Sequence, residues 1–332
     1  MSSIFYASPD TLPLILSHIQ KQTPFFPAST RELTLPTINL PSTGIVIATS
    51  GSSGKPKYAH LTYENFLLNA QFSHPDLILT PNDCWQLSLP LYHVSGLSIL
   101  FRLSLANARM DNKNITHISF VPTQLKRFLK NPIHYPKLKA ILIGGAPIPY
   151  ELCKEAYDKG FPIYITYGMT EMASQIATKR FHPNERISFD NPLPHRELKI
   201  CSGEIWVRGK TLFQGYLNQP SPFIDGWFPT NDLGYIGPNG LEILGRKDRM
   251  IISGGENIHP EEIEKALLSH PEVYSAKVSP KPDPEFGQRP TALVATNLSS
   301  IELLEYLSSL LPRYKLPEIM TTHPQEVLTS KG

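Results

Sequence analysis

Apolar residues recur along this chain in short runs that alternate with amphipathic stretches. Gly44-Ile45-Val46-Ile47-Ala48 is continuous and apolar, which predicts a buried strand. Residues 84–89, 117–121, 139–143 and 162–166 carry similar runs and predict further strands. Residues 65–70, 124–129 and 150–159 predict helices between them. Strands alternating with helices imply α/β layering with parallel strands. Residues 1–40 are weakly patterned, with one amphipathic helix over 12–20 and then a Pro/Thr-rich connector. From 197 to 244 the texture becomes short β runs broken by turns, a small β-subdomain. After Gly245-Arg246-Lys247-Asp248 the pattern starts afresh. Pro260 and the acids behind it open a helix over 261–268, where they suit the first turn and the helix dipole. Strands over 273–278 and 291–296 and a helix over 301–311 complete a small α+β unit. The expected fold class is therefore α/β, with a large N-terminal domain over 1–247 and a small C-terminal domain over 248–332.

Composition changes this picture little. With 332 residues, two domains are expected at ~150 each. The formal charge of +2 gives no case for nucleic acid or an anionic membrane as partner. Cys84, Cys153 and Cys201 are far apart and form no disulfide framework, which fits a reducing cytoplasm. The N-terminal stretch lacks a basic region and a small-residue cleavage site, and no apolar stretch approaches the ~18 residues of a membrane span. The 32 prolines spread over connections, as in a loop-rich multi-subdomain enzyme.

Candidate chemistry collects at glycine-bearing corners. Thr49-Ser50-Gly51-Ser52-Ser53-Gly54-Lys55-Pro56-Lys57 follows the first predicted strand. Glycine lets a backbone approach closely, hydroxyls and N–H groups donate, and lysine adds charge, all suited to a phosphate. It is not a Walker A loop, since Thr49 stands where that motif has Gly and Pro56 follows Lys55. An ordinary polar turn fits the local sequence equally well. Corners at 144–147 and 167–170 also fall at strand ends, where open α/β sheets bind ligands.

Several ordered motifs together resemble the acyl-adenylate-forming enzymes, the acyl-CoA synthetase or AMP-binding superfamily. Thr49–Lys57 is similar to its phosphate loop, and Tyr167-Gly168-Met169-Thr170-Glu171 to its adenine and magnesium motif. Gly226-Trp227-Phe228-Pro229-Thr230-Asn231-Asp232 and Gly245-Arg246-Lys247-Asp248 are similar to its ribose and hinge motifs. The wording of Leu89-Pro90-Leu91-Tyr92-His93-Val94-Ser95-Gly96, Val121-Pro122-Thr123-Gln124-Leu125, Tyr167 through Ser174-Gln175, and Ile252-Ser253-Gly254-Gly255-Glu256-Asn257-Ile258 most resembles the 2-succinylbenzoate–CoA ligase branch of menaquinone synthesis.

The resemblance implies an ATP- and Mg²⁺-dependent ligase that activates a small carboxylic acid as acyl-AMP, then passes the acyl group to CoA. Ser50, Ser52, Ser53 and Gly54 would hold the β and γ phosphates, with Thr49 and Gly51 in the same loop and Lys57 adding charge. Thr170 would reach the α-phosphate and Glu171 would hold Mg²⁺, a hard cation that takes oxygen ligands. Gly145, Ala146 and Pro147 would line the adenine beside Tyr167, Gly168 and Met169. Asp232 would accept from the ribose hydroxyls, and Arg246 would add a ribose or phosphate contact. His93 and Ser95 would border the acyl pocket, and Arg102 would meet a second carboxylate of the acid. Asp248 is the hinge of a mobile lid, and Ser253, Gly254 and Gly255 would face the pantetheine arm. Each has a plainer alternative: a solvated acid for Glu171, a turn former for Asp232, a surface cation for Arg246, a satisfied structural ring for His93, an exposed helix cation for Arg102, a β-turn for the glycine pair.

Three departures from the pattern are expected to matter. Only 48 residues precede Thr49, fewer than the family carries. Between Arg102 and Asn114 the chain runs directly from a helix-like segment to Ile115-Thr116-His117, where relatives have an extra strand and helix. The family's terminal adenylation lysine is either absent after Gly332 or supplied by Lys331. Two other functions stay open: a nucleotide- or acyl-adenylate-binding protein with little turnover, and an adenylating enzyme with another acid or acceptor.

Overall fold

The computed structural model describes residues 3–29, 39–49, 56–110 and 114–324. Three parallel strands, His117–Phe120, Ala140–Ile143 and Ile163–Met169, form the sheet that the alternating pattern predicts. Helices Pro122–Lys130 and Tyr150–Asp158 make the crossovers. Ala140–Ile143 lies between its two neighbours and is buried along its whole length, as a central parallel strand covered on both faces must be. Ser174–Arg180 returns antiparallel to Ile163–Met169 and closes one edge.

A second sheet has the order Ser3–Tyr6, Phe25–Ala28, Ile45–Thr49, Lys57–Leu61, Gly215–Tyr216. Its first three strands are parallel and the last two pairings antiparallel. Two of these strands lie in the weakly patterned N-terminal stretch; at four residues each they are too short for a period to emerge. The β-subdomain is an antiparallel sheet of Arg196–Cys201, Glu204–Gly209, Phe228–Gly237 and Gly240–Arg246.

The expected strand at 84–89 does not form. Cys84 and Trp85 make isolated bridges to Arg109 and His117. Beyond them the Ser88 N–H turns back to the Gln86 carbonyl at 2.9 Å, and the Ser88 hydroxyl, not a backbone amide, reaches the Ser119 carbonyl at 2.5 Å. A side chain thus takes the ladder position along the edge of His117–Phe120. The expected corner at 167–170 is also displaced: the strand continues to Met169 before a 3-10 turn over Thr170–Met172.

The small C-terminal domain has its own core of Ile251, Ile258, Ile263, Leu267, Val273, Val278, Ala292, Val294, Leu303 and Leu307. Its sheet pairs Val273–Asp283 with Gly287–Thr296, flanked by Ile251–Ser253 and Glu318–Thr322. Helices Pro260–Ser269 and Ser300–Ser308 cover it. Lys126, from the large domain, docks against this unit. Its ammonium donates to the carbonyls of Leu268 at 3.3 Å, His270 at 2.7 Å and Val273 at 2.6 Å, around the C-terminal end of Pro260–Ser269. A cation there suits the helix dipole, while burial pulls the Lys126 amine down to about 8. Lys130 stands 3.8 Å over the Tyr274 ring, and Lys247 pairs with Glu204 at 3.0 Å. Among the described residues no helix is long and apolar enough to cross a membrane.

Asp83 anchors the turn before Cys84. It accepts from Lys139 at 2.7 Å and from the Thr80 hydroxyl and amide at 2.7 and 2.9 Å. Burial alone would raise its carboxyl, but these donors together hold it down at about 2. The folded value lies below the unfolded one, so the stabilisation is present above about pH 4 and lost as pH falls towards 2. Asp83→Asn is expected to cost about 2 kcal/mol in urea melts at pH 7, with the difference from the unsubstituted chain shrinking below pH 4; a pH-independent difference would contradict this.

Candidate functional site

The three parallel strands end on one edge, so the corners that follow them are neighbours. The Cβ that Gly145 lacks would lie 3.6 Å from Val121, just past the first strand, and that of Gly144 would lie 2.5 Å from the Thr166 methyl on the third. Only glycine permits this approach at Gly144. Gly145 and Ala146 are exposed and Pro147 is half-buried, leaving backbone facing outward beside Tyr167 to Thr170. Gly168 is held still closer: a Cβ there would stand 1.9 Å from the Ser174 carbonyl oxygen. The chain reverses within this space through Ala173 and Ser174, both at positive φ (54° and 113°). Met169 and Thr170 are half-buried at the same edge.

Asp232 lies beside this edge, on Phe228–Gly237 of the β-subdomain and opposite Arg246 in register. Tyr167 donates its hydroxyl to Asp232 Oδ2 at 2.7 Å. Arg246 donates from Nη1 to Asp232 Oδ1 and to the Thr230 carbonyl, both at 3.2 Å. Asp232 is only 9% exposed. Burial raises its carboxyl above the ordinary range, Tyr167 and Arg246 offset part of that, and the nearby charge of Glu171 adds to the rise. Tyr167 is raised by burial and by the Asp232 charge, and so stays a hydroxyl donor. Arg246 also turns to Asp248, which its Nε and Nη2 grip at 3.0 and 2.9 Å. Burial opposes its charge, but the Asp248 and Asp232 carboxylates overcome that and hold it above its usual range. The same fork keeps Asp248 below the usual carboxylate range.

Glu171 sits in the 3-10 turn with one oxygen fixed. Tyr216 donates its hydroxyl to Glu171 Oε1 at 2.6 Å, and the Phe213 amide donates to the Glu171 carbonyl at 2.8 Å. Tyr216 belongs to the two-residue strand paired with Lys57–Leu61, and the Lys57 ammonium lies 5.1 Å from its ring centre. The exit strand of the phosphate-like loop is thereby brought beside Glu171. Thr49 and Lys57 face each other in register across the base of that loop, and the Thr49 hydroxyl reaches the Lys57 carbonyl at 3.4 Å. Ser50, Gly51, Ser52, Ser53 and Gly54, and Lys331, lie outside the described residues. Among the described residues no three His, Cys, Asp or Glu side chains cluster as a metal cage. Mg²⁺ does not need one: it takes one or two carboxylates and completes its shell with phosphate oxygens and water, a donor set Glu171 fits.

A second group of residues lies along the helix Val94–Ala106. His93 precedes it, exposed and against the Tyr92 ring at 4.5 Å. Ser95 is in its first turn, half-buried, and Arg102 follows about two turns later on the same face. Arg102 is 3% exposed, not the exposed helix cation that its sequence allows. Its Nη2 donates to Gln175 Oε1 and, at 3.4 Å, to Asn69 Oδ1, and its guanidinium lies 5.1 Å from the Trp85 ring centre. Ser253, Gly254 and Gly255 form a hairpin turn in the small domain, with both glycines at positive φ, packed against Phe286 and Gly287. The structure thus joins Tyr167, Asp232, Arg246 and Asp248 in one hydrogen-bonded set and Lys57, Tyr216 and Glu171 in a second, close enough for the Glu171 charge to act on Asp232; the glycine turn is described by contacts within its own domain.

Tyr216, which holds Glu171, Gln175, which holds Arg102, and Arg196, whose Nε donates to the Gln175 carbonyl at 2.8 Å, are not among the site residues singled out from the sequence. Gln175 appears in a motif-like stretch, but nothing local marks Tyr216 or Arg196.

The family model for the AMP-binding enzyme matches residues 19–217, and that for the AMP-binding enzyme C-terminal domain matches 262–332. The 2-succinylbenzoate–CoA ligase of Escherichia coli (strain K12) is 38% identical over 293 residues, covering 84% of this chain and 64% of the relative. That of Bacillus subtilis (strain 168) is 37% identical over 315 residues, with 84% and 65% covered. The chain therefore spans slightly under two thirds of the length of these curated relatives. Among solved structures, an E. coli MenE variant with bound OSB-AMS is similar with a TM-score of 0.83 at 31% identity, covering 98% of this chain and 83% of that one. The B. subtilis enzyme in complex with ATP and magnesium ion is similar with a TM-score of 0.78 at 28% identity, covering 97% and 85%.

If Tyr216 orients Glu171 for a metal, Tyr216→Phe is expected to weaken binding of Mg²⁺–ATP about tenfold, the equivalent of ~1.4 kcal/mol, in titration calorimetry. Binding of metal-free AMP is expected to be unchanged. Equal losses for both nucleotides, or none for either, would separate Tyr216 from the metal.

Proposed function

The chain belongs to the AMP-binding enzyme family, and from that premise we propose that it is an ATP-dependent acid–CoA ligase acting on 2-succinylbenzoate. The observation that carries this reading is the pair of fixed acids, Asp232 held by Tyr167 and Arg246 and Glu171 held by Tyr216, together with the 2-succinylbenzoate–CoA ligases among its relatives. We place the domain boundary at Lys247/Asp248 and the protein in the cytoplasm.

In the first step a carboxylate oxygen of the acid attacks the α-phosphorus of ATP. An acyl-AMP forms and pyrophosphate leaves. Charge builds at the α-phosphate, so prepositioned donors and cations are the main lever. Thr170 donates to the α-phosphate, Lys57 offsets phosphate charge, and the loop of Thr49 to Gly54 holds the β and γ phosphates. Glu171 holds Mg²⁺, which when bound neutralises phosphate charge. Asp232 has an oxygen on Tyr167 and another on Arg246, and each oxygen keeps lone-pair capacity for a ribose hydroxyl. Gly145, Ala146 and Pro147 offer flat backbone to the adenine, beside Gly168 and Met169. His93 and Ser95 border the acid at the start of their helix, and Arg102, buried about two turns further on, meets its second carboxylate.

In the second step the CoA thiolate attacks the acyl carbon, and AMP leaves. Asp248 is the pivot that lets the small domain present Ser253, Gly254 and Gly255 to the pantetheine arm. Lys331 is the candidate adenylation lysine.

The test is an assay of the purified chain with ATP, Mg²⁺ and 2-succinylbenzoate. Pyrophosphate release dependent on the acid, followed by a CoA-dependent thioester, is expected, and Glu171→Gln is expected to abolish both. ATP binding with no pyrophosphate release would favour a binding protein instead, and release with other acids only would overturn the substrate.

A further inference from the structure

Arg102 and Arg196 are two buried cations that share neighbours and lack an anion. They are 3% and 4% exposed, and neither makes an ion pair with a carboxylate among the described residues. Arg196 is satisfied by main-chain oxygens. Its Nε donates to the Gln175 carbonyl at 2.8 Å, Nη1 to Phe72 and Pro194 at 3.0 and 2.7 Å, and Nη2 to Asn69 at 3.4 Å. Asn69 adds its own amide to the same Gln175 carbonyl at 3.1 Å and to Met172 at 3.2 Å. The Gln175 backbone is thus fixed from two sides.

Its side chain is fixed as well. Oε1 accepts from the Ser73 hydroxyl at 2.9 Å and from Arg102, while Nε2 donates to the Thr178 hydroxyl at 2.7 Å. Arg102 is thereby oriented by a neutral amide. Its Nη1, buried, has no hydrogen-bond partner among the described residues. A buried guanidinium that is aimed but uncompensated is costly to keep, since removing charge from water requires an opposite charge or full hydrogen bonding. Such an arrangement gains the most from a ligand that carries the missing anion.

We propose that Gln175 and Arg196 are positioning residues that hold Arg102 oriented while denying it an internal counterion, so that selection of an acid bearing a second carboxylate depends on this pair. The inference rests on the reading of Arg102 as the partner of that carboxylate and adds what sets its selectivity. Arg196 locks the Gln175 main chain, Gln175 locks the guanidinium, and the charge deficit is left for the substrate. A glutamate at 175 has the same shape. The Thr178 hydroxyl can turn to donate to it, and Ser73 keeps its acceptor. It would neutralise Arg102 in place.

The experiment compares Gln175→Glu with Gln175→Ala and the unsubstituted chain. For Gln175→Glu two opposite changes are expected together. The unliganded melting temperature rises by about 2 °C or more, and KM for 2-succinylbenzoate rises at least tenfold with KM for ATP within twofold. Gln175→Ala is expected to lower the melting temperature and raise the same KM. A purely structural role would move stability and leave the KM ratio alone. Thermal shift adds a second arm: 2-succinylbenzoate should raise the melting temperature of the unsubstituted chain, benzoate should not, and Gln175→Glu should abolish the rise. An active unsubstituted chain with unchanged KM in Gln175→Glu would overturn this inference and leave the ligase reading standing. No turnover by the unsubstituted chain, with the shift present and lost in Gln175→Glu, would overturn the ligase reading and leave the counterion role. Absence of the shift and of the melting-temperature rise overturns the inference whatever the turnover.

Discussion

A single buried carboxylate, that of Asp232, joins the parts of this molecule. It takes a hydrogen bond from Tyr167 at the end of the parallel sheet and another from Arg246 on the neighbouring β-strand. Through Arg246 it is tied to Asp248. Burial works against its ionisation, and the two donors offset that cost. Any sugar that binds there meets an acceptor already oriented by protein on two sides. The geometry of the site therefore depends on the β-subdomain and the parallel sheet keeping their mutual position.

Glu171 is the second fixed acid, and the two feel each other: its charge contributes to raising Asp232. That repulsion is tolerable where cations gather. Lys57 lies beside Tyr216, the residue that holds Glu171, and Arg246 lies on Asp232. In the proposed reading the metal and phosphates of the substrate complete a charge balance that the protein leaves unfinished. In the same reading Arg102, buried within the helix Val94–Ala106, repeats the device with the sign reversed, a cation left for the anion of the substrate.

The fold was legible in the sequence where an element was covered on both faces; the strands Val273–Asp283 and Gly287–Thr296 were legible only over 273–278 and 291–296, since their paired far halves are largely exposed. Ala140–Ile143 and Ile163–Met169 stand out as apolar runs because neighbours bury them, and Pro260 marks a helix start because a first turn needs no amide there. The segment at 84–89 misled because its ladder to His117 stops at Gln86, Ser88 bonding onward through its side chain. Of the candidate site, Tyr167, Glu171, Asp232 and Arg246 are spelled out by ordered motifs. Tyr216 and Arg196 are not, since their partners are set by packing alone: Tyr216 meets Glu171 across 45 residues and Arg196 meets Asn69 across 127. The burial of Arg102 was equally hidden, because a lone arginine in an apolar helix reads the same whether it faces solvent or the core.

The most direct measurement is the position of AMP in a crystal of this chain. With the ribose anchored as proposed, both of its hydroxyls lie within hydrogen-bond reach of the Asp232 carboxylate, at ~2.7 Å, and the adenine lies along Gly145 to Pro147. An ordered AMP whose ribose makes no bond to Asp232, or that binds on another edge of the fold, would contradict the account.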